Sequence, residues 1–108
     1  VTYCAQLKDG QITEFTLSPE DFGLKPIKAE DILGGDAVIN GKALLDLFKG
    51  TPSAYRDIVL ANAAATLVLC RKAADYRQGV ALAANAIDNG STHKVLNDYI
   101  SFSKEESK

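Results

Sequence analysis

The sequence predicts a mainly α-helical α+β fold, with one N-terminal β-hairpin followed by four helices. Three observations predict it. Two extended segments, Thr2 to Leu7 and Gln11 to Leu17, flank Lys8-Asp9-Gly10, and Asp-Gly is a strong two-residue hairpin turn signal. From Asp36 onward apolar residues recur at the three- and four-residue spacing of helices. Hydroxyl and carboxylate caps, with glycines at the far ends, divide that stretch into segments of ordinary helix length. At 108 residues the chain has the size of one domain.

With Asp9-Gly10 as the turn, Leu7 pairs with Ile12, Ala5 with Glu14 and Tyr3 with Thr16. The other face carries Cys4 opposite Phe15 and Thr2 opposite Leu17. Apolar residues fall on both faces, so residues 1–17 are expected to form a ribbon covered on both sides and joined to a larger sheet. Residues 18–35 read as connecting turns. Ser18-Pro19-Glu20-Asp21 has the order of a helix start, ended by Phe22-Gly23. Pro26 keeps the next stretch extended, and Ala29 to Leu33 forms another short turn stopped by Gly34-Gly35.

Residues 36–102 read as helices. Asp36 caps the first, which runs to Lys49 with Gly50 behind it, and Gly41 inside it either weakens the helix or marks a close packing contact. Thr51 with Pro52 opens a second helix reaching Ala73. Its segment Ile58 to Cys70 is apolar nearly all round except for Asn62 and Thr66, so it reads as a buried central helix. Ala61, Ala63, Ala64 and Ala65 would let neighbours approach closely. Asp75 and Gln78 form a capping-box pattern for Tyr76 to Asp88. Asn89-Gly90 closes that helix. Ser91 caps the last, with Val95, Leu96, Tyr99 and Ile100 on one stripe. Residues 103–108 are expected to fray.

Composition excludes several classes. Hydrophobic residues make up 46% and charged residues 24%, which is globular rather than disordered. Twelve basic against 14 acidic side chains give a net charge of −2 and no general attraction to nucleic acid or an anionic membrane. No apolar run reaches the roughly 18–20 residues of a membrane span. Cys4 and Cys70 make neither a disulfide framework nor a CxxC pair and suit a reducing cytoplasm. The chain opens on Val1-Thr2-Tyr3 and contains no Met, so it reads as starting inside a strand, as a processed or truncated product would.

No catalytic, substrate-binding or metal-binding residue is assigned from the pattern alone. His93, the single histidine, reads as a solvated side chain without an orienting partner. Cys70 reads as a small core residue, with neighbouring Arg71 keeping a nucleophile reading open. Gly34-Gly35-Asp36 precedes a helix, where backbone N–H groups attract anions. However, the Asp36 carboxylate would itself take those donors, and no phosphate-loop frame surrounds it. Glu20-Asp21 and Glu30-Asp31 could face a divalent cation but occupy first-turn positions where acids are favoured anyway. Asn62 and Thr66, one turn apart on a buried helix, are expected to hydrogen-bond a neighbouring segment rather than a ligand.

Four blocks in order carry a family resemblance. They are Leu7-Lys8-Asp9-Gly10-Gln11-Ile12 with Thr16-Leu17-Ser18-Pro19-Glu20-Asp21-Phe22-Gly23-Leu24, then Gly34-Gly35-Asp36-Ala37 with Asn40. Arg56-Asp57-Ile58-Val59-Leu60-Ala61-Asn62-Ala63-Ala64-Ala65 follows, and last Gln78-Gly79-Val80-Ala81-Leu82-Ala83 with Ala86-Ile87-Asp88-Asn89-Gly90. Together they resemble the C-terminal part of the catalytic α/β domain of the anthranilate phosphoribosyltransferases.

The resemblance implies a fragment of an α/β domain with a mostly parallel central sheet. The implied activity transfers phosphoribosyl from phosphoribosyl pyrophosphate (PRPP) to anthranilate in tryptophan biosynthesis, with Mg²⁺, in a cytoplasmic enzyme that is a homodimer when intact. The family's pyrophosphate loop, its anthranilate contacts and its Asp-Glu pair for Mg²⁺ correspond to residues upstream of Val1, and none maps onto this chain. The expected role is therefore scaffold, with no cofactor, nucleic acid or membrane bound by this segment. The isolated chain is expected to be inactive and to self-associate. The alternatives are a non-catalytic relative, a pyrimidine-nucleoside-phosphorylase-like protein, or an independent helical module for protein interaction or nucleic-acid binding.

Overall fold

The computed structural model describes residues 1–106. Strands β1 (Thr2–Lys8) and β2 (Gln11–Leu17) form a two-stranded antiparallel ribbon. Its register is the expected one, Leu7 opposite Ile12 and Cys4 opposite Phe15. Asp9 and Gly10 both take positive φ (52° and 78°), as a type I′ turn requires. One 3₁₀ turn follows over Pro19–Phe22 and another over Ala29–Ile32. Four helices complete the chain: α1 (Ala37–Phe48), α2 (Ala54–Leu69), α3 (Tyr76–Asp88) and α4 (Ser91–Glu106).

Caps set most of the boundaries. Asp36 Oδ1 accepts from Ile39 N at 2.9 Å to start α1, and Asp75 Oδ1 accepts from Gln78 N at 2.8 Å to start α3. Helix α2 starts two residues later than expected. Ser53 Oγ, not Thr51, accepts from the Arg56 amide, and Pro52 stays outside the helix. It also ends earlier, at Leu69 rather than Ala73. There the Arg71 amide donates to Val68 O and the Lys72 amide to Leu67 O, with Arg71 in the left-handed region at φ 61°. This is the double bond of a Schellman stop, built without its usual glycine. Ser91 is the first residue of α4 and donates to Asn89 Oδ1 instead of serving as the cap acceptor. Helix α4 is continuous through Ser103 up to Glu106. Residues 107–108 lie outside the described part.

The core lies where α1, α2 and α3 meet. Leu47, Leu60, Ala83 and Ile87 are buried there, with Leu44, Phe48, Val59 and Val80 packed against them. Helices α2 and α3 run antiparallel at very close range. Ala64 is fully buried, and a Cβ built on Gly79 would stand 2.9 Å from both Ala64 Cα and Ala64 Cβ. The small residues of α2 thus do what their size suggested, at Ala64 above all. Gly41 has the opposite surroundings, with nothing within 4 Å of an added Cβ, so it marks no packing contact.

Much of the expected burial is missing. Cys4, Phe15 and Leu17 share a cleft with Ala65, Val68 and Tyr76, but the reverse face of the ribbon is bare. Tyr3 is 86% exposed there, with Leu7 and Ile12 also open, so the ribbon is covered on one side only. Helix α2 is central yet not enclosed, since Ala65, Thr66, Leu69 and Cys70 are exposed along one side. The chain has 8121 Å² of accessible surface. A folded monomer of 11.5 kDa is expected to have about 5,800 Å². The radius of gyration, 15.8 Å, likewise exceeds the value of about 13 Å for a compact domain of this length. The fold is open.

Candidate functional site

The Gly34-Gly35-Asp36 segment is held by Asn40. The Gly35 amide donates to Asn40 Oδ1, and Asn40 Nδ2 donates back to the Gly35 carbonyl, both at 2.9 Å. The asparagine amide thus pairs with the loop as a neighbouring strand would. A Cβ on Gly35 would lie 2.9 Å from Ile39 Cδ1, and one on Gly34 2.9 Å from Asn40 Oδ1, so a larger residue at either position would have to displace one of these side chains. The Gly35 and Ile39 amides are engaged by Asn40 and Asp36, so the motif closes on itself as a clasp.

One aspartate of each acidic pair bonds its own turn. Asp21 Oδ2 accepts from the Ser18 amide at 2.8 Å and from Ser18 Oγ at 3.2 Å. Asp31 Oδ2 accepts from the Lys28 amide at 3.3 Å. Each carboxylate closes its own 3₁₀ turn. Among the described residues no three His, Cys, Asp or Glu side chains gather in a way that could hold a metal ion.

Three readings of single residues need correction. His93 is not a free solvated side chain: it is half-buried and its ring stacks on Phe48, centroids 5.6 Å apart and planes 23° apart. Cys70 is exposed at the end of α2 instead of lying in the core, because α2 stops one residue before it. Asn62 and Thr66 are exposed, and both bond their own helix. Asn62 Nδ2 donates to Ile58 O, and Thr66 Oγ1 donates to Asn62 O. They face the open side of α2 and reach no neighbouring segment.

Three contacts between distant parts of the chain had no assigned role in the sequence. Arg56 donates through both guanidinium nitrogens to Asp88, at 3.1 and 3.0 Å. Each charge sits at the helix end that disfavours it, Arg56 in the first turn of α2 and Asp88 in the last of α3. Pairing across the antiparallel helices offsets both penalties, and the Arg56 side chain is only 13% exposed. A charge at the wrong end of a helix was the available signal. Arg77 Nη2 donates to Glu20 O at 2.9 Å, and Phe22 packs against Tyr76 with ring centroids 5.0 Å apart. These fix the first 3₁₀ turn to the start of α3. On α4 the Lys94 ammonium donates to Asp98 at 2.8 Å, and that hydrogen bond, with the carboxylate charge, pushes its pKa above the ordinary value.

Among the described residues these side chains form an arrangement of clasps around a helical core. The sequence that builds it is that of a known class. The family model described as "Glycosyl transferase family, a/b domain" matches residues 1–93, and the chain belongs to that family. Among named proteins it is similar to the anthranilate phosphoribosyltransferase of Rhizobium etli, 46% identical over 105 residues, and to that of Agrobacterium fabrum, 42% identical over 105 residues. Each of these matches covers 97% of this chain and 31% of the relative. The enzyme of the same name from Rhodopseudomonas palustris is 49% identical over 90 residues, which is 83% of this chain and 26% of that protein. The chain therefore spans about 31% of the length of the relatives it matches most fully. No helix among the described residues is long and apolar enough to cross a membrane.

Proposed function

We propose that this chain is a part of an anthranilate phosphoribosyltransferase, and that its role there is to hold the catalytic domain in shape. The observation that carries the reading is 46% identity over 97% of the chain to an enzyme of that name. The reaction is transfer of phosphoribosyl from PRPP to the anthranilate amine in tryptophan biosynthesis, by a cytoplasmic enzyme that is a homodimer when intact. The scaffold role is supported by what the side chains do. Asp36, Asn40, Arg56, Arg77 and Asp88, all within the family-matched segment, spend their polar groups on turns, caps and helix pairing.

The reaction class calls for Mg²⁺, and the residues present do not fit it. Asp21 and Asp31 are committed to their own turns, and no set of three ligands forms among the described residues. Stabilising pyrophosphate as it departs needs preorganised positive charge or metal, so this chain by itself should not catalyse transfer. The test is anthranilate fluorescence in the presence of PRPP, Mg²⁺ and the pure chain, which should stay flat. Turnover near the usual enzymatic range of roughly 1–10³ s⁻¹ would overturn the scaffold reading.

A further inference from the structure

We propose that Asn89 is a site of spontaneous deamidation, assisted by Ser91, at which the joint between α3 and α4 ages. Asparagine is among the chemically labile side chains, most of all before glycine, where no side chain hinders the backbone. The chain has two such pairs, Asn40-Gly41 and Asn89-Gly90. The structure separates them.

In this reaction the amide nitrogen of the following glycine, having lost its proton to base, attacks the asparagine Cγ. The new carbon–nitrogen bond closes a succinimide ring, and the side-chain nitrogen leaves as ammonia. Water then opens either ring carbonyl, leaving aspartate or its β-linked isomer. At Asn40 each step is resisted. Asn40 and Gly41 lie inside α1, so the helix must open before the Gly41 nitrogen can turn. The Asn40 side-chain amide also exchanges two hydrogen bonds with Gly35, both at 2.9 Å. Asn89 instead follows the last residue of α3, and the Gly90 amide donates to Ile87 O over a long 3.3 Å. Gly90 takes φ 86°, and nothing lies within 4 Å of a Cβ placed there, so the peptide has room to turn.

Ser91 prepares the carbon under attack. Asn89 Oδ1 accepts from the Ser91 amide at 2.9 Å and from Ser91 Oγ at 2.6 Å. The first bond folds the side chain back over the Gly90 peptide, placing Asn89 Cγ and the Gly90 nitrogen in one hydrogen-bonded ring. Both donors meet the oxygen that gains negative charge as Cγ becomes tetrahedral, as in an oxyanion hole. The product bears on the fold. A new carboxylate at position 89 stands next to Asp88, at the end of α3 that disfavours negative charge. The β-linkage lengthens the backbone just ahead of the stack of His93 on Phe48.

The test is made within a whole domain, on this chain grafted in place of the matching segment of the Rhizobium etli enzyme. The graft is incubated in native buffer and in urea, then digested with trypsin. Peptides Ala29–Lys42 and Gln78–Lys94 report the two sites through the mass gain of amide-to-acid conversion. In native buffer Asn89 should convert at least about tenfold faster than Asn40, the factor expected for giving up two ordinary hydrogen bonds. In urea the two rates should converge. Ser91→Ala should slow conversion of Asn89 in native buffer and leave its rate in urea unchanged. Equal rates at the two sites in native buffer, or an unchanged or faster Asn89 in the Ser91→Ala graft, would overturn the proposal. Mass reports deamidation whether or not the graft transfers phosphoribosyl, so failure here is distinct from failure of the proposed function.

Discussion

Gly79→Ala puts the packing of α2 on α3 to a quantitative test. The added Cβ would stand 2.9 Å from Ala64 Cα and Cβ and 3.0 Å from Ala64 O. Carbon atoms in contact prefer about 3.5–4.0 Å, so the helices must part by roughly 0.6–1 Å at this point. Two of the three obstructing atoms are backbone, so no rotamer change can relieve the clash. Overpacking of this kind costs about 1–3 kcal/mol, against which the better helix propensity of alanine returns about 1 kcal/mol. The net expectation is destabilisation of up to about 2 kcal/mol, or a urea midpoint lower by as much as roughly 1 M at the slope usual for a small domain. Gly41→Ala is the matched control. Its Cβ meets nothing within 4 Å, so only the propensity gain remains and the midpoint should rise, by about 0.5–1 kcal/mol of stability. Unfolding followed by circular dichroism for both variants gives the answer. Equal shifts of the same sign would refute the close crossing of α2 and α3.

Three further outcomes follow from the helix ends. Asp88→Ala should cost about 1–3 kcal/mol by leaving the largely covered Arg56 guanidinium without its carboxylate. Arg56→Ala should cost less, because Asp88 stays half exposed, and a double-mutant cycle of urea midpoints should show coupling above about 0.5 kcal/mol. Arg71→Gly should raise the midpoint by about 1 kcal/mol of stability, since a non-glycine residue at φ 61° is strained; an unchanged or lower midpoint would show that the Arg71 side chain compensates.

Local chemistry in this chain was readable and its environment was not. The hairpin register followed from Asp9-Gly10, and α1 and α3 from Asp36 and Asp75, because turns and caps are set by a few adjacent residues. The Thr51-Pro52 pair misled because Ser53, two residues on, offers an equally good cap, and the choice depends on where α2 packs. Arg71 adopts a left-handed conformation that nothing in its identity announces. Burial was the larger failure. An apolar run such as Ile58 to Cys70 shows that a surface should be covered but not by what. Asn62, Thr66 and Cys70 consequently lie open, while His93, with no partner visible in its own segment, found Phe48. The clasp of Asn40 on Gly35 explains why two glycines, an aspartate and an asparagine occur together, and it gives that block a structural meaning in place of a phosphate-binding one.

The central claim is that these residues shape a catalytic domain without entering its chemistry. Its most direct test is a chimera in which this chain replaces the matching segment of the Rhizobium etli anthranilate phosphoribosyltransferase, to which it is 46% identical. With PRPP and Mg²⁺ supplied, loss of anthranilate fluorescence should proceed with kcat and both KM values within about tenfold of the parent, a change of less than 1.4 kcal/mol in transition-state stabilisation. A chimera that folds with the parent's circular dichroism and thermal midpoint yet has no activity would contradict the claim, because these residues would then bear on catalysis beyond shaping the domain.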